Sequence, residues 1–183
     1  MRRDDGFTLI ELLIVVMVMG LIILTIGEAL WVGIRTTADT ETRLRESGDE
    51  QLAATYLAPD MQSATDVSVA AGATECSGGL TVVARFSWVE DTGSGDLNKT
   101  ASYIVQTVSG ERQLIRRFCQ SSSTITSGTS PISTVKVADR LDLAVNPVLA
   151  CTPACPGSPT RVDLTVSQKS GRQFSVTARR RVT

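Results

Sequence analysis

The sequence predicts an α+β protein: one long N-terminal helix, apolar in its first half, packed by its second half on a C-terminal antiparallel β-sheet. Three observations carry this expectation. Residues 7–26 are apolar apart from Thr8, Glu11, Gly20 and Thr25. Between Leu30 and Met61, apolar and small side chains recur roughly every three to four positions. From Val67 onward, short β-rich runs are separated by Gly, Ser and Asp clusters.

The apolar segment comes first. Twenty helical positions rising 1.5 Å each make about 30 Å, the thickness of a bilayer's hydrocarbon core. Glu11 lies about one turn inside it, and a carboxylate there is costly enough to require a partner. A glutamate that merely reaches back to the interface is the plain alternative. Arg2 and Arg3 precede the span and are offset by Asp4 and Asp5. Acidic residues count little in setting orientation, so the N-terminus is expected inside. Trp31 falls just past the run, where an aromatic ring suits the outer interface. A secretory signal peptide cleaved near Ala29 is the competing reading.

Beyond Ile26 the positions Leu30, Ile34, Thr37, Glu41, Leu44, Gly48, Leu52, Leu57 and Met61 follow an amphipathic spacing. Asp39–Arg43 and Glu41–Arg45 are i,i+4 pairs suited to the exposed face. Pro59 should end or kink the helix at about residue 58. Strands are expected near Val67–Ala70, Leu80–Val89, Ala101–Val108, Gln113–Cys119, Ile132–Ala138 and Leu141–Val145. A terminal hairpin is expected from Arg161–Ser167 and Gln173–Arg181. Ser109-Gly110-Glu111-Arg112 makes a tight hairpin link. Alternation over residues 80–86 predicts one buried and one wet face. The segments Gln120–Ser130, rich in Ser and Thr, and Asn146–Thr160, rich in Pro, read as loops.

The 183 residues contain no histidine, which removes His-dependent triads, His-ligated zinc and histidine pH switching. The four cysteines, Cys76, Cys119, Cys151 and Cys155, allow three disulfide pairings. Cys151–Cys155 is favoured because Thr152-Pro153-Ala154 makes a short turn, leaving Cys76–Cys119; a zinc site of four thiolates is the rival. Charge is lopsided. Residues 1–98 hold 6 basic and 15 acidic side chains, and residues 99–183 hold 12 basic and 4 acidic. Two solvated faces that happen to differ, or complementary surfaces between subunits, explain this ahead of polymer or nucleic-acid binding.

A polar leader, Gly6, and then Phe7-Thr8-Leu9-Ile10-Glu11-Leu12-Leu13 closely resembles the class III signal of type IV pilins and type II secretion pseudopilins. The resemblance implies that a prepilin peptidase cuts after Gly6 on the cytoplasmic side and that Phe7 is then N-methylated. It implies that Glu11 pairs with the N-terminal amine of a neighbouring subunit, for which an opposite charge in low dielectric is a physical reason. Many major pilins carry a proline after the position of Gly20. This chain reads Gly27-Glu28 there, so helix softening would rest on Gly20 and Gly27. The implied partners are the prepilin peptidase, other major and minor pilins, an inner-membrane assembly platform and membrane lipid. The implied destination is the cytoplasmic membrane as a single-pass protein and then an extracellular or periplasmic filament. Neither a cofactor nor catalysis is implied.

The layout resembles the pilin fold. With Leu57-Ala58-Pro59-Asp60-Met61 and Leu114-Ile115-Arg116-Arg117-Phe118, it resembles minor pilins of the PilW or GspJ sort. The expected plan is a leader over 1–6, an assembly helix over 7–27, its amphipathic continuation over 28–62 and a β-rich domain over 63–183.

Three other features invite chemistry. Asp91-Thr92-Gly93-Ser94 matches the aspartic-protease string, but one copy cannot form the required pair of aspartates. A hairpin loop reads better, and Asp91, Asp96 and Asn98 lack the spacing of a recognised calcium loop, so no metal site is expected. The last 23 residues hold six basic side chains and Asp163. In a strand Arg180 faces away from Arg179 and Arg181, so the run reads as edge-strand arginines rather than a nucleic-acid patch. The alternative function is a membrane-tethered module that never polymerises and holds an anionic ligand or DNA.

Overall fold

The computed structural model describes residues 8–69 and 74–180. Helix α1 runs Leu9–Ser63. The chain divides into two compact units, residues 1–45 and 46–183. In the first unit α1 is apolar all round through its N-terminal half, and its side chains are exposed: Leu9 84 %, Leu13 48 %, Leu24 67 %. Thr36, Thr37 and Thr40 return their hydroxyls to the carbonyls four residues earlier at 2.8–2.9 Å. Arg45 and Glu41 form the expected i,i+4 pair at 2.6 Å. Both are well exposed, so it is worth a few tenths of a kcal/mol. Asp39 and Arg43 form no such pair.

The second unit holds the last turns of α1 and eight strands. They are β1 Asp66–Val69, β2 Thr81–Asp91, β3 Asp96–Val108, β4 Glu111–Ser121, β5 Ser133–Leu141, β6 Val148–Thr152, β7 Arg161–Ser167 and β8 Gln173–Arg179. Strands β1 to β5 form an antiparallel meander in chain order, and β6 to β8 form a second, three-stranded sheet. The β3–β4 link is the two-residue turn Ser109–Gly110 with φ of 51° and 81°. Two positive values are what a type I′ hairpin requires. The links flanking β7 touch both edges of the meander, through the bridges Val67↔Gly157 and Leu141↔Gln168.

Leu57 and Met61 of α1 are fully buried against Phe86, Tyr103, Leu114, Val137, Leu164 and Val166. Asp49, two turns earlier, accepts hydrogen bonds from the Asp139 amide (3.0 Å) and Gln168 Nε2 (3.2 Å). Both sheets and the helix therefore share one core.

The structure corrects the sequence expectations in four places. Helix α1 passes through Pro59 and ends at Ser63, although proline removes one backbone bond. Burial of Leu57 and Met61 and the contacts of Asp60 hold the last turn in place, and Ala64 N closes it on Asp60 O at 3.0 Å. The expected strand Leu141–Val145 is a turn. The Asp142 carboxylate accepts from the amides of Ala144 (2.7 Å) and Val145 (3.3 Å), and side-chain bonds of this kind compete with a ladder. The Pro-rich segment Asn146–Thr160 contains β6, because Val148 to Thr152 find partners on β7. The wet face predicted for residues 80–86 is half-covered. Cys76, Cys119 and Ile125 form a second small core, and β3 is buried on both faces from Thr100 to Val105. The predicted strand end Ala70 lies outside the described residues.

Candidate assembly site

Glu11 sits in the first turn of α1, with its amide bonded to Thr8 O at 3.1 Å. A negative charge at a helix start is favoured by the backbone dipole. Its chain neighbours Leu9, Ile10, Leu12 and Leu13 are all exposed, and Glu11 has no ion pair among the described residues. Gly6 and Phe7, the expected cleavage and methylation positions, lie outside the described residues, as does Arg181. The helix is long and apolar enough to cross a membrane, and none of its most apolar window is buried. At the far end of the apolar run, Arg35 stacks over the Trp31 ring at 5.1 Å. An amphipathic aromatic–cation pair of this kind suits a membrane–water boundary.

Residues 1–27 match the family model described as the prokaryotic N-terminal methylation motif. No curated protein and no solved structure matches the chain. A methylation motif heading one exposed, bilayer-length helix supports a prepilin-processed protein anchored in the membrane by that helix. The motif supports membership of the type IV pilin and pseudopilin-like family, and points to a structural subunit rather than an enzyme. It implies processing by a prepilin peptidase and interaction with other pilins.

Within the second unit, one densely bonded buried carboxylate is a group that local sequence patterns do not show. Asp60, 3 % exposed, accepts from the Tyr103 hydroxyl at 2.8 Å, from Arg116 Nε at 2.7 Å and from an Arg116 terminal nitrogen at 2.5 Å. The Arg116 guanidinium also lies 5.2 Å from the ring centres of Tyr56 and Phe118. The cluster joins the segments 57–61 and 114–118, singled out in the sequence for another reason. Its ion pair spans 56 positions, which no helical or strand period reveals.

Burial opposes the charged form of Arg116, but the hydrogen bonds and charge of Asp60 outweigh it and hold the guanidinium above its usual pKa. Burial pushes the Tyr103 phenol well above its ordinary value of 10.0, and the charge of Asp60 adds to the rise. A raised acid pKa means that, above pH 10.0, the unfolded chain releases a proton that the folded chain retains. Stability conferred by Tyr103 is therefore present below that pH and is lost as pH climbs beyond it. In a Tyr56→Phe background, which leaves Tyr103 as the sole tyrosine, phenolate absorbance should appear together with loss of near-UV dichroism. Phenolate formation in the folded protein near pH 10 would show that Tyr103 is not held this way.

The other sequence candidates fall in separate places. Cys76 is bonded to Cys119, and Cys151 to Cys155. Asp91 ends β2 and accepts the Gly93 amide at 2.8 Å; Thr92 and Ser94 share a hydrogen bond, so Asp91-Thr92-Gly93-Ser94 is a hairpin turn. Asp91 faces Asp96 across the register, Asn98 donates to Ser123 O, and no group of three metal-binding side chains gathers among the described residues. Arg161 faces Arg179, with the Asp163 carboxylate bonded to Arg161 at 2.8 Å. Arg161 holds the Asp163 carboxyl below its ordinary range.

Carboxylates of the N-terminal half meet bases of the C-terminal half in the fold, as Asp60–Arg116 and Glu46–Arg172.

Proposed function

We propose that this chain is a minor pilin or pseudopilin, a subunit that enters a type IV pilus or a type II secretion-like pseudopilus through α1. It is inserted with its N-terminus inside and its β-rich unit outside, cut after Gly6 and methylated on Phe7. The observation that carries this reading is an apolar helix exposed on every side, headed by the methylation motif and bearing Glu11 in its first turn. Such a surface needs lipid before assembly and neighbouring apolar helices after it. An assembly platform and companion pilins are the partners this requires. Glu11 serves register: its charge is offset when the amine of an adjacent subunit reaches it.

The test is Glu11→Leu in cells that make filaments. The variant inserts, folds and is processed, with Phe7 at the mature N-terminus by mass spectrometry. It accumulates in the membrane and is missing from sheared filaments. Incorporation at wild-type levels would remove Glu11 as an assembly contact. A mature N-terminus near Ala29 would instead mean an ordinary signal peptide, and would remove the membrane helix and this reading with it.

A further inference from the structure

The face of the five-stranded sheet that points away from α1 carries a pocket of about 200 Å³. Its floor is built from cross-strand pairs, Ser87↔Thr100 and Val89↔Asn98. Arg85, two residues before Ser87, lies on the same face. Thr65 and Glu75 supply one wall, and Thr124 and Ile125 another. These walls are tied together. The Cys76–Cys119 disulfide pins the segment next to Glu75 to β4, and the amides of Cys76 and Gly78 donate to Thr126 O (2.9 Å) and Ser127 O (2.8 Å). The Ser102 hydroxyl donates to Glu75 O at 2.6 Å. The pocket is therefore formed in advance, which reduces the ordering cost of binding.

The chemistry of the lining selects a ligand class. Its charges are already spent on neighbours: Arg85 donates from its two terminal nitrogens to Glu75 and Asp66, and Lys99 to Glu90. An ionic ligand would have to displace these pairs. Glu75 Oε2 and Arg85 Nε remain buried with no hydrogen-bond partner among the described residues. A hydroxyl can donate to the first and accept from the second, which neither an ammonium nor a carboxylate can do. The remaining polar lining is of hydroxyls and one amide, while Val89 and Ile125 supply apolar surface. Hydroxyls at the edge and an apolar face are the two features of a pyranose ring. We propose that this pocket binds a neutral saccharide unit, one ring in size, with Glu75 and Arg85 as its central polar contacts. The volume admits one ring and falls short of a drug-sized ligand. The inference stands apart from filament entry and does not depend on it.

The test uses the full chain in phosphocholine-detergent micelles, because glucoside detergents would present competing sugar. D-glucose, D-galactose and N-acetyl-D-glucosamine are each titrated, with saturation-transfer NMR on the sugar and Trp88 fluorescence in a Trp31→Phe background. At least one sugar should receive transfer, with a Kd on the order of 1 mM for so small a ligand. Glu75→Gln should weaken binding at least about tenfold and Ser87→Ala about fivefold, while Ser175→Ala, on β8, leaves it unchanged. Near-UV dichroism reports whether each variant is folded; if Glu75→Gln is not, Ser87→Ala carries the comparison. No transfer to any of the three sugars would overturn the proposal. So would binding that is unaltered in the folded pocket variants.

Discussion

Asp60→Ala destabilises the β-rich unit by about 3–5 kcal/mol, the cost of leaving the other half of a buried ion pair uncompensated. Arg116 is 9 % exposed, and two of its nitrogens lose their acceptor at once. The Tyr103 hydroxyl, fully buried, loses its acceptor as well. The helix end is affected directly, because Asp60 lies in the last turn of α1 beyond Pro59. Urea unfolding of the full chain in micelles, followed by near-UV dichroism, measures the loss. The double variant Asp60→Ala/Arg116→Leu should recover a large part of it, since removing both charges leaves no uncompensated charge and only the Tyr103 hydroxyl without its acceptor. If the single and double variants unfold alike, the cluster contributes packing and not charge compensation.

Removing the two disulfides should have unequal effects. Cys76 and Cys119 are separated by 43 positions, whereas Cys151 and Cys155 are separated by four. On the chain-entropy account, closing the longer loop restrains the unfolded chain by about 4 kcal/mol and the shorter by about 2 kcal/mol. Cys76→Ala/Cys119→Ala also opens the small core with Ile125 and frees the segment carrying Glu75. Cys151→Ala/Cys155→Ala loosens only the end of β6 and the turn after it. The same urea titration should rank the first double variant well below the second. An equal loss from both would mean that loop length does not govern their effect here.

Much of the architecture was legible because its signals are local. The apolar span is a matter of composition, and Ser109-Gly110 and the turn at Gly171 announce their hairpins by residues that tolerate positive φ. Glu11 stood out as the one charge in its run. What was hidden depends on partners distant in the chain. Pro59 reads as a helix end until Asp60 and Met61 are seen to be held by β3 and β4. Strand β6 is only five residues long, sits among prolines, and is defined by β7. The polar pocket has the same character, since Glu75 and Arg85 are ordinary surface types until the disulfide and the 121–131 segment enclose them.

The order of the meander has a consequence for how this unit comes into being. Every pairing from β1 to β5 joins strands that are consecutive in the chain, so each closes locally, without waiting for distant segments. A chain delivered N-terminus first can add each strand to the edge left by the one before. Closure is different in kind. The bridge at Val67 waits for Gly157, and the bridge at Leu141 waits for Gln168. Both edges of the growing sheet thus stay open until the last quarter of the polypeptide arrives, when the β6–β7 link closes one and the β7–β8 turn the other.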